Sequence, residues 1–165
     1  MPDRRYWLVK SEPDSFSFDD LLAAPGRTTV WDGVRNYQAR NYMRDSMRPG
    51  DGVLFYHSNA NPAGVAGLAE VAAPARSDPT AFDPTHAGYD PKGRPDAPTW
   101  MAVEVRAVER FSSVVSLAEL RADPACATLQ VLRRGNRLSV TPVSEAEWNA
   151  VCRLGGLGAA GSGGA

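Results

Sequence analysis

Trp100-Met-Ala-Val-Glu-Val-Arg-Ala-Val108 alternates with a period of two, the pattern of a strand that turns one face inward. It constrains the fold more than any other stretch, because a strand of this length needs neighbours to pair with. Shorter runs supply them. Tyr6-Trp-Leu-Val-Lys10 is apolar and rich in strand formers, and Thr28-Thr-Val-Trp31 is a short extended piece broken by Asp32-Gly33. Val53-Leu-Phe-Tyr-His-Ser58 places Val53, Phe55 and His57 on one face and Leu54, Tyr56 and Ser58 on the other. In Val65-Ala-Gly-Leu-Ala-Glu-Val71, Gly67, like Gly64 just before it, allows another backbone or a ligand to come close. Arg137-Leu-Ser-Val140 is a last short strand.

Helices fill the margins. Ser17-Phe-Asp-Asp20 offers a cap ahead of Leu21-Leu22, and Pro25-Gly26 ends the helix it starts. From Tyr37 to Met47, Ala39, Met43 and Met47 fall four apart and face inward, while Arg40, Arg44 and Arg48 form a neighbouring stripe. Ser116-Leu-Ala-Glu119 and Ser144-Glu-Ala-Glu147 are capping boxes, the second opening a helix with Trp148, Val151 and Cys152 inside. Ala127 to Arg133 is a further helical turn. Between Ala72 and Thr99 the chain is rich in Pro and Asp and has no periodicity, so a long loop is expected there. With 165 residues and 43% hydrophobic content, this is one domain over residues 4–154, followed by a flexible Gly/Ala-rich tail over 155–165. The predicted class is α+β: five or six mostly antiparallel strands closing into a small barrel, with short flanking helices.

Two cysteines, Cys126 and Cys152, form no disulfide framework and no metal-ligand spacing. No signal-peptide pattern or bilayer-spanning run is present, so a cytoplasmic protein with no membrane partner is expected. The net charge of -1 argues against a protein that holds long duplexes by phosphate neutralisation. No Gly-rich phosphate loop, nucleophile elbow or His-Glu-x-x-His is found.

Trp31-Asp-Gly-Val-Arg-Asn-Tyr-Gln-Ala-Arg-Asn41 is poor core material, since amides and guanidiniums are costly to bury without partners. It suits a flat polar ligand: rings stack, amides read edges, arginines meet anions. Trp31 is the expected ligand-facing ring, whereas Trp7, Trp100 and Trp148 lie in core patterns. Arg133, Arg134 and Arg137 make a second local positive cluster.

Several ordered blocks point to one family: Tyr6-Trp-Leu-Val-Lys-Ser-Glu-Pro13, Trp31 to Asn41, Gly50-Asp-Gly-Val-Leu-Phe-Tyr-His-Ser58, Gly64 to Val71 and Gly135-Asn-Arg-Leu-Ser-Val140. From about Arg5 to Leu154 the chain resembles the EVE domain proteins. The resemblance implies a PUA-like pseudo-barrel, near the YTH and ASCH domains, and a role in reading modified bases. Lys10-Ser11 and Val30-Trp31 look like the YTH segments that read the base edge and supply the first cage ring. Gly64 to Val71 looks like the strand after the YTH pocket-side loop. Tyr37 or Tyr56 is a candidate second ring, and no catalytic residue is implied.

Together these readings predict a non-catalytic module that takes a modified nucleobase, such as a modified cytosine, in DNA or RNA. Its ligand-binding residues would be Ser11, Glu12, Trp31, Arg35, Asn36, Tyr37, Tyr56, His57, Ser58 and Ser139, with Arg35, Arg40 and Arg44 on phosphates. Neither cofactor nor metal is expected. The partner would be nucleic acid carrying a modified base, or a free nucleotide, bound by a monomer. Trp31→Ala would remove discrimination and leave the fold intact. Alternatives are an enzyme using His57 with Asp32 or Glu12 as acid and base, and a small-molecule module sharing the fold.

Overall fold

The computed structural model describes residues 4–136 and 138–157, so the expected tail from 158 onward and Arg137 lie outside the described residues. Its strands are β1 (Tyr6–Ser11), β2 (Thr28–Trp31), β3 (Gly52–His57), β4 (Gly64–Ser77), β5 (Met101–Ser116) and β6 (Val140–Val143). Its α-helices are α1 (Phe18–Ala23), α2 (Tyr37–Asp45), α3 (Leu117–Ala122) and α4 (Glu145–Leu154). One sheet runs in the order β2-β5-β4-β3-β1-β6, with β1 and β3 parallel and every other pair antiparallel.

The long β4–β5 hairpin bends this sheet. Its register shifts between Val65 and Gly67, Leu68 and Ala69, Val71 and Ala73, and Ala73 and Arg76, and each irregularity adds twist and curvature. Gly67 lies at one of these shifts, and a Cβ there would lie 2.7 Å from the Glu109 carbonyl oxygen and 2.8 Å from the Phe18 ring. The close approach expected at this glycine is therefore that of β5 and α1. The sheet curls until its two edges face one another, since β2 at one edge and the end of β1, beside β6, line the same cavity. The result is the mixed α+β pseudo-barrel, open along a seam between β2 and β1.

Alternation along β1 and β3 divides the core in two. Trp7, Val9, Val53 and Phe55 pack with Phe18 and Leu21 of α1 and with Ala39 and Met43 of α2. Leu8, Leu54 and Tyr56 pack on the other face with Leu120 of α3 and with Trp148, Val151 and Cys152 of α4. Asp51 ties the far end together, accepting from the Trp7 indole N–H at 2.9 Å and from the backbone N–H of Arg5 and Arg48. Capping boxes at Ser17, Ser116 and Ser144 start α1, α3 and α4. Cys126 and Cys152 are free and buried, and burial pushes each thiol up to about 11.

Four expectations need correction. The first part of the supposed loop after Val71 is strand, because pairing with β5 carries β4 on to Ser77 through Pro74. β5 itself continues from Val108 to Ser116. The helical turn expected from Ala127 shrinks to a 3₁₀ turn at Gln130–Leu132. The last strand starts at Val140, where the expected one ended, because Val140 to Val143 is the stretch that pairs with β1.

Candidate functional site

The seam holds a cavity of about 540 Å³. Lys10 and Ser11 at the end of β1 form one side, with Ser139 just before β6. Thr29, Val30 and Trp31 of β2 form the other, continuing through Asp32, Gly33, Val34 and Arg35. Glu12, Ser15 and Phe16 close the mouth. Their turn is set by the backbone N–H groups of Ser15 and Phe16, both donating to the Glu12 carbonyl at 2.9 Å, and by the Ser11 hydroxyl, which donates to the Phe16 carbonyl. As an edge strand, β2 turns a row of backbone N–H and C=O groups away from β5.

Trp31 is the floor. Only 9% of it is exposed, with the edge-on Phe55 ring 5.4 Å away and Phe16 at 6.5 Å. It belongs to the core as much as to the cavity, so the expectation that Trp31→Ala leaves the fold intact is overturned by its packing.

Asp78 holds the loop after Trp31 in place. Its carboxylate is fully buried and accepts from the Gly33 N–H at 2.8 Å, from Arg35 at 2.9 Å, and from the Thr80 N–H and hydroxyl. Burial alone would push this carboxyl up, but the hydrogen bonds from Thr80, Arg35 and Gly33 outweigh it and hold the group below its usual range. Arg35 also donates to the Gly88 carbonyl at 2.7 Å and to Thr80. It therefore fastens the long β4–β5 connection against the cavity, helped by the Trp100 indole N–H donating to Asp90. Charge of both signs faces the space. Burial pulls the Lys10 ammonium down, and burial followed by the nearby Asp78 charge pushes Asp32 up.

Of the residues expected from the sequence, Ser11, Glu12, Trp31, Arg35 and Ser139 line this cavity and the others do not. Asn36 caps α2, its side-chain oxygen accepting from the Ala39 N–H at 3.0 Å. Tyr37 points outward and stacks on Trp100. Tyr56 is buried on the opposite face of the sheet, because its neighbour Phe55 takes the cavity side. His57 accepts the Phe18 N–H at Nε2, and burial lowers its pKa below 6.5. His57 does not line the cavity that holds Asp32 and Glu12. Ser58 sits beyond β3, its N–H donating to the Ser11 carbonyl. The arginines are also committed: Arg35 to Asp78, Arg40 to the Thr99 carbonyl and Asn41, Arg44 to Asp45. None of the three stands as an unengaged phosphate contact.

Phe16, Gly33 and Val34 are lining residues that the sequence did not single out. Phe16 carries no local signal, since only the Glu12 turn brings it over Trp31. Among the described residues no group of three or more His, Cys, Asp or Glu is arranged to hold a metal ion, and no helix is long and apolar enough to cross a membrane.

The EVE domain family model matches residues 5–154. Human thymocyte nuclear protein 1 is 39% identical over 165 residues, covering 90% of this chain and 73% of that protein. The solved structure of human THYN1 protein in complex with 5-methylcytosine containing DNA is 40% identical, with a TM-score of 0.84 over 92% of this chain and 97% of that one. A more distant likeness shows the fold alone: the YTH domain of Zygosaccharomyces rouxii MRB1 protein, solved with N6-methyladenosine RNA, is 17% identical with a TM-score of 0.54 over 93% of this chain and 88% of that one.

Proposed function

Because the chain belongs to the EVE domain family, we propose that it reads a modified nucleobase, a substituted cytosine before others, taken out of a nucleic-acid strand into the seam cavity. The observation that carries this reading is the cavity itself: about 540 Å³, floored by an aromatic ring and lined by donors and acceptors together. The solved complex of a 40% identical relative with 5-methylcytosine DNA supports it.

The lining complements a cytosine edge. Its exocyclic amine donates, and carboxylates are the usual acceptors for it; Asp32 and Glu12 line the cavity and would supply them. Its ring nitrogen and carbonyl accept, and Lys10, Ser139 and the outer backbone row of β2 carry donors. Extruding the base costs a few kcal/mol, and contact with an aromatic ring returns about 1–3 kcal/mol. Val34 is an aliphatic lining residue against which the substituent of a modified cytosine would pack. A site of this kind gains affinity from one base rather than from many phosphates, which agrees with the net charge of -1.

The test is a titration of the full chain against single-stranded and duplex oligonucleotides that differ at one base: cytosine, 5-methylcytosine, 5-hydroxymethylcytosine or N6-methyladenine. A substituted cytosine is expected to bind about tenfold or more above cytosine, the worth of one well-placed methyl group. Equal affinity across the set sinks the reading.

A further inference from the structure

Tyr37 is 62% exposed, yet it is held. Its ring stacks on Trp100 with centroids 4.9 Å apart and planes 30° from parallel. Trp100 is fixed in turn by its hydrogen bond to Asp90 and by the Arg35 guanidinium, 5.4 Å from its ring. With the ring stacked on Trp100, an exposure this large leaves much of the rest of Tyr37 in water. The Arg40 guanidinium, held by the Thr99 carbonyl, lies over the Tyr37 ring, 5.3 Å from its centre. Next to the rings is a cleft of about 350 Å³ that includes Tyr89 and Lys92. Lys92 is exposed and outside every ion pair among the described residues. Arg35 lines both this cleft and the seam cavity, so the two are neighbours.

We propose that this ledge is a second nucleobase site: the nucleotide beside the extruded base, in the same strand, stacks on the exposed Tyr37 ring, with Lys92 drawing its phosphate. The proposal rests on the base-reading function above. Three features point to this occupant. A pre-stacked ring has already lost its rotamer freedom, so a base landing on it avoids that cost. Stacking accepts any base, as a flanking position in a reader of one modified base requires. Lys92 brings a positive charge outside the ion pairs to a cleft whose Arg35 is paired with Asp78 and whose Asp90 is engaged by the Trp100 indole, so a phosphate beside the stacked base would meet it. The ledge would thus hold the strand open without adding sequence preference.

Two ligands separate the ledge from the cavity: a short single-stranded DNA with one central 5-methylcytosine, and free 5-methyldeoxycytidine monophosphate. Tyr37→Ala is expected to weaken the oligonucleotide by about 5- to 150-fold, the loss of one base–aromatic stack. It should leave the mononucleotide and the ratio of modified to plain affinity unchanged. Tyr37→Phe should keep most of the oligonucleotide affinity. An abasic residue beside the 5-methylcytosine, on one side only, should weaken wild type and cost Tyr37→Ala nothing more. Wild-type oligonucleotide affinity in Tyr37→Ala overturns the ledge while the base reading stands. An equal loss for the mononucleotide also overturns it, as it would mean damage to the cavity. A wild-type protein that binds modified and plain strands alike overturns both.

Discussion

Asp78→Ala is expected to cost about 3–5 kcal/mol of stability, the range for breaking a buried ion pair by removing one partner. The lower end applies, because the Arg35 side chain keeps 24% exposure while that of Asp78 has none. The loss would not be confined to one bond. The Gly33 N–H, the Thr80 N–H and the Arg35 guanidinium all lose their acceptor, and Arg35 is what fastens the Gly88 segment to the cavity wall. Chemical denaturation reads the stability and oligonucleotide titration reads the wall. Acid provides a gentler version of the experiment. The folded-state pKa of Asp78 is depressed, so its contribution is fully present above the unfolded value of about 3.9 and is lost as pH falls through the folded value. Asp78→Asn should lack that component of acid destabilisation. A variant as stable as wild type at neutral pH, with the same acid profile, would show that the hub is ornamental.

Trp31→Ala is expected to lose about 3–5 kcal/mol as well, the cost of deleting a large buried ring. Its indole packs against Phe55 and Phe16, and Val103 is its partner across the sheet. Binding measured on this variant alone would confuse an unfolded protein with a missing base contact. Trp31→Phe keeps an aromatic ring over Phe55 and is the cleaner probe. It should retain most of the stability while the preference for 5-methylcytosine over cytosine falls. Denaturation of both variants and titration of the phenylalanine one check this. Full discrimination in Trp31→Phe would move the floor of the site elsewhere.

How much of this was legible in the sequence depended on how local the cause was. Strands such as Val53 to His57 announce themselves because each face sees one environment, and Ser17, Ser116 and Ser144 cap helices through bonds within a single turn. The second half of β4 was illegible: Ala72 to Ser77 has neither alternation nor large apolar side chains, and pairing with β5 imposes its conformation. The site divides along the same line. Trp31, Ser11 and Ser139 stand at or beside strand ends next to polar stretches, so sequence could single them out. Arg35 carried the same local signal, but its partner Asp78 lies 43 residues further on, and a guanidinium with a remote carboxylate looks like one awaiting a phosphate. Tyr56 was misplaced for a different reason. Sitting beside His57 in sequence, it turns to the opposite face of the strand.

The central claim is that a modified base enters the seam over Trp31, and the most direct measurement is the NMR signal of the methyl group of 5-methylcytosine in a bound single-stranded oligonucleotide. The account predicts a ring-current shift upfield on binding, with through-space contacts to Trp31 and Val34. A complex that forms while the methyl resonance stays where it is in the free strand, without those contacts, would contradict it.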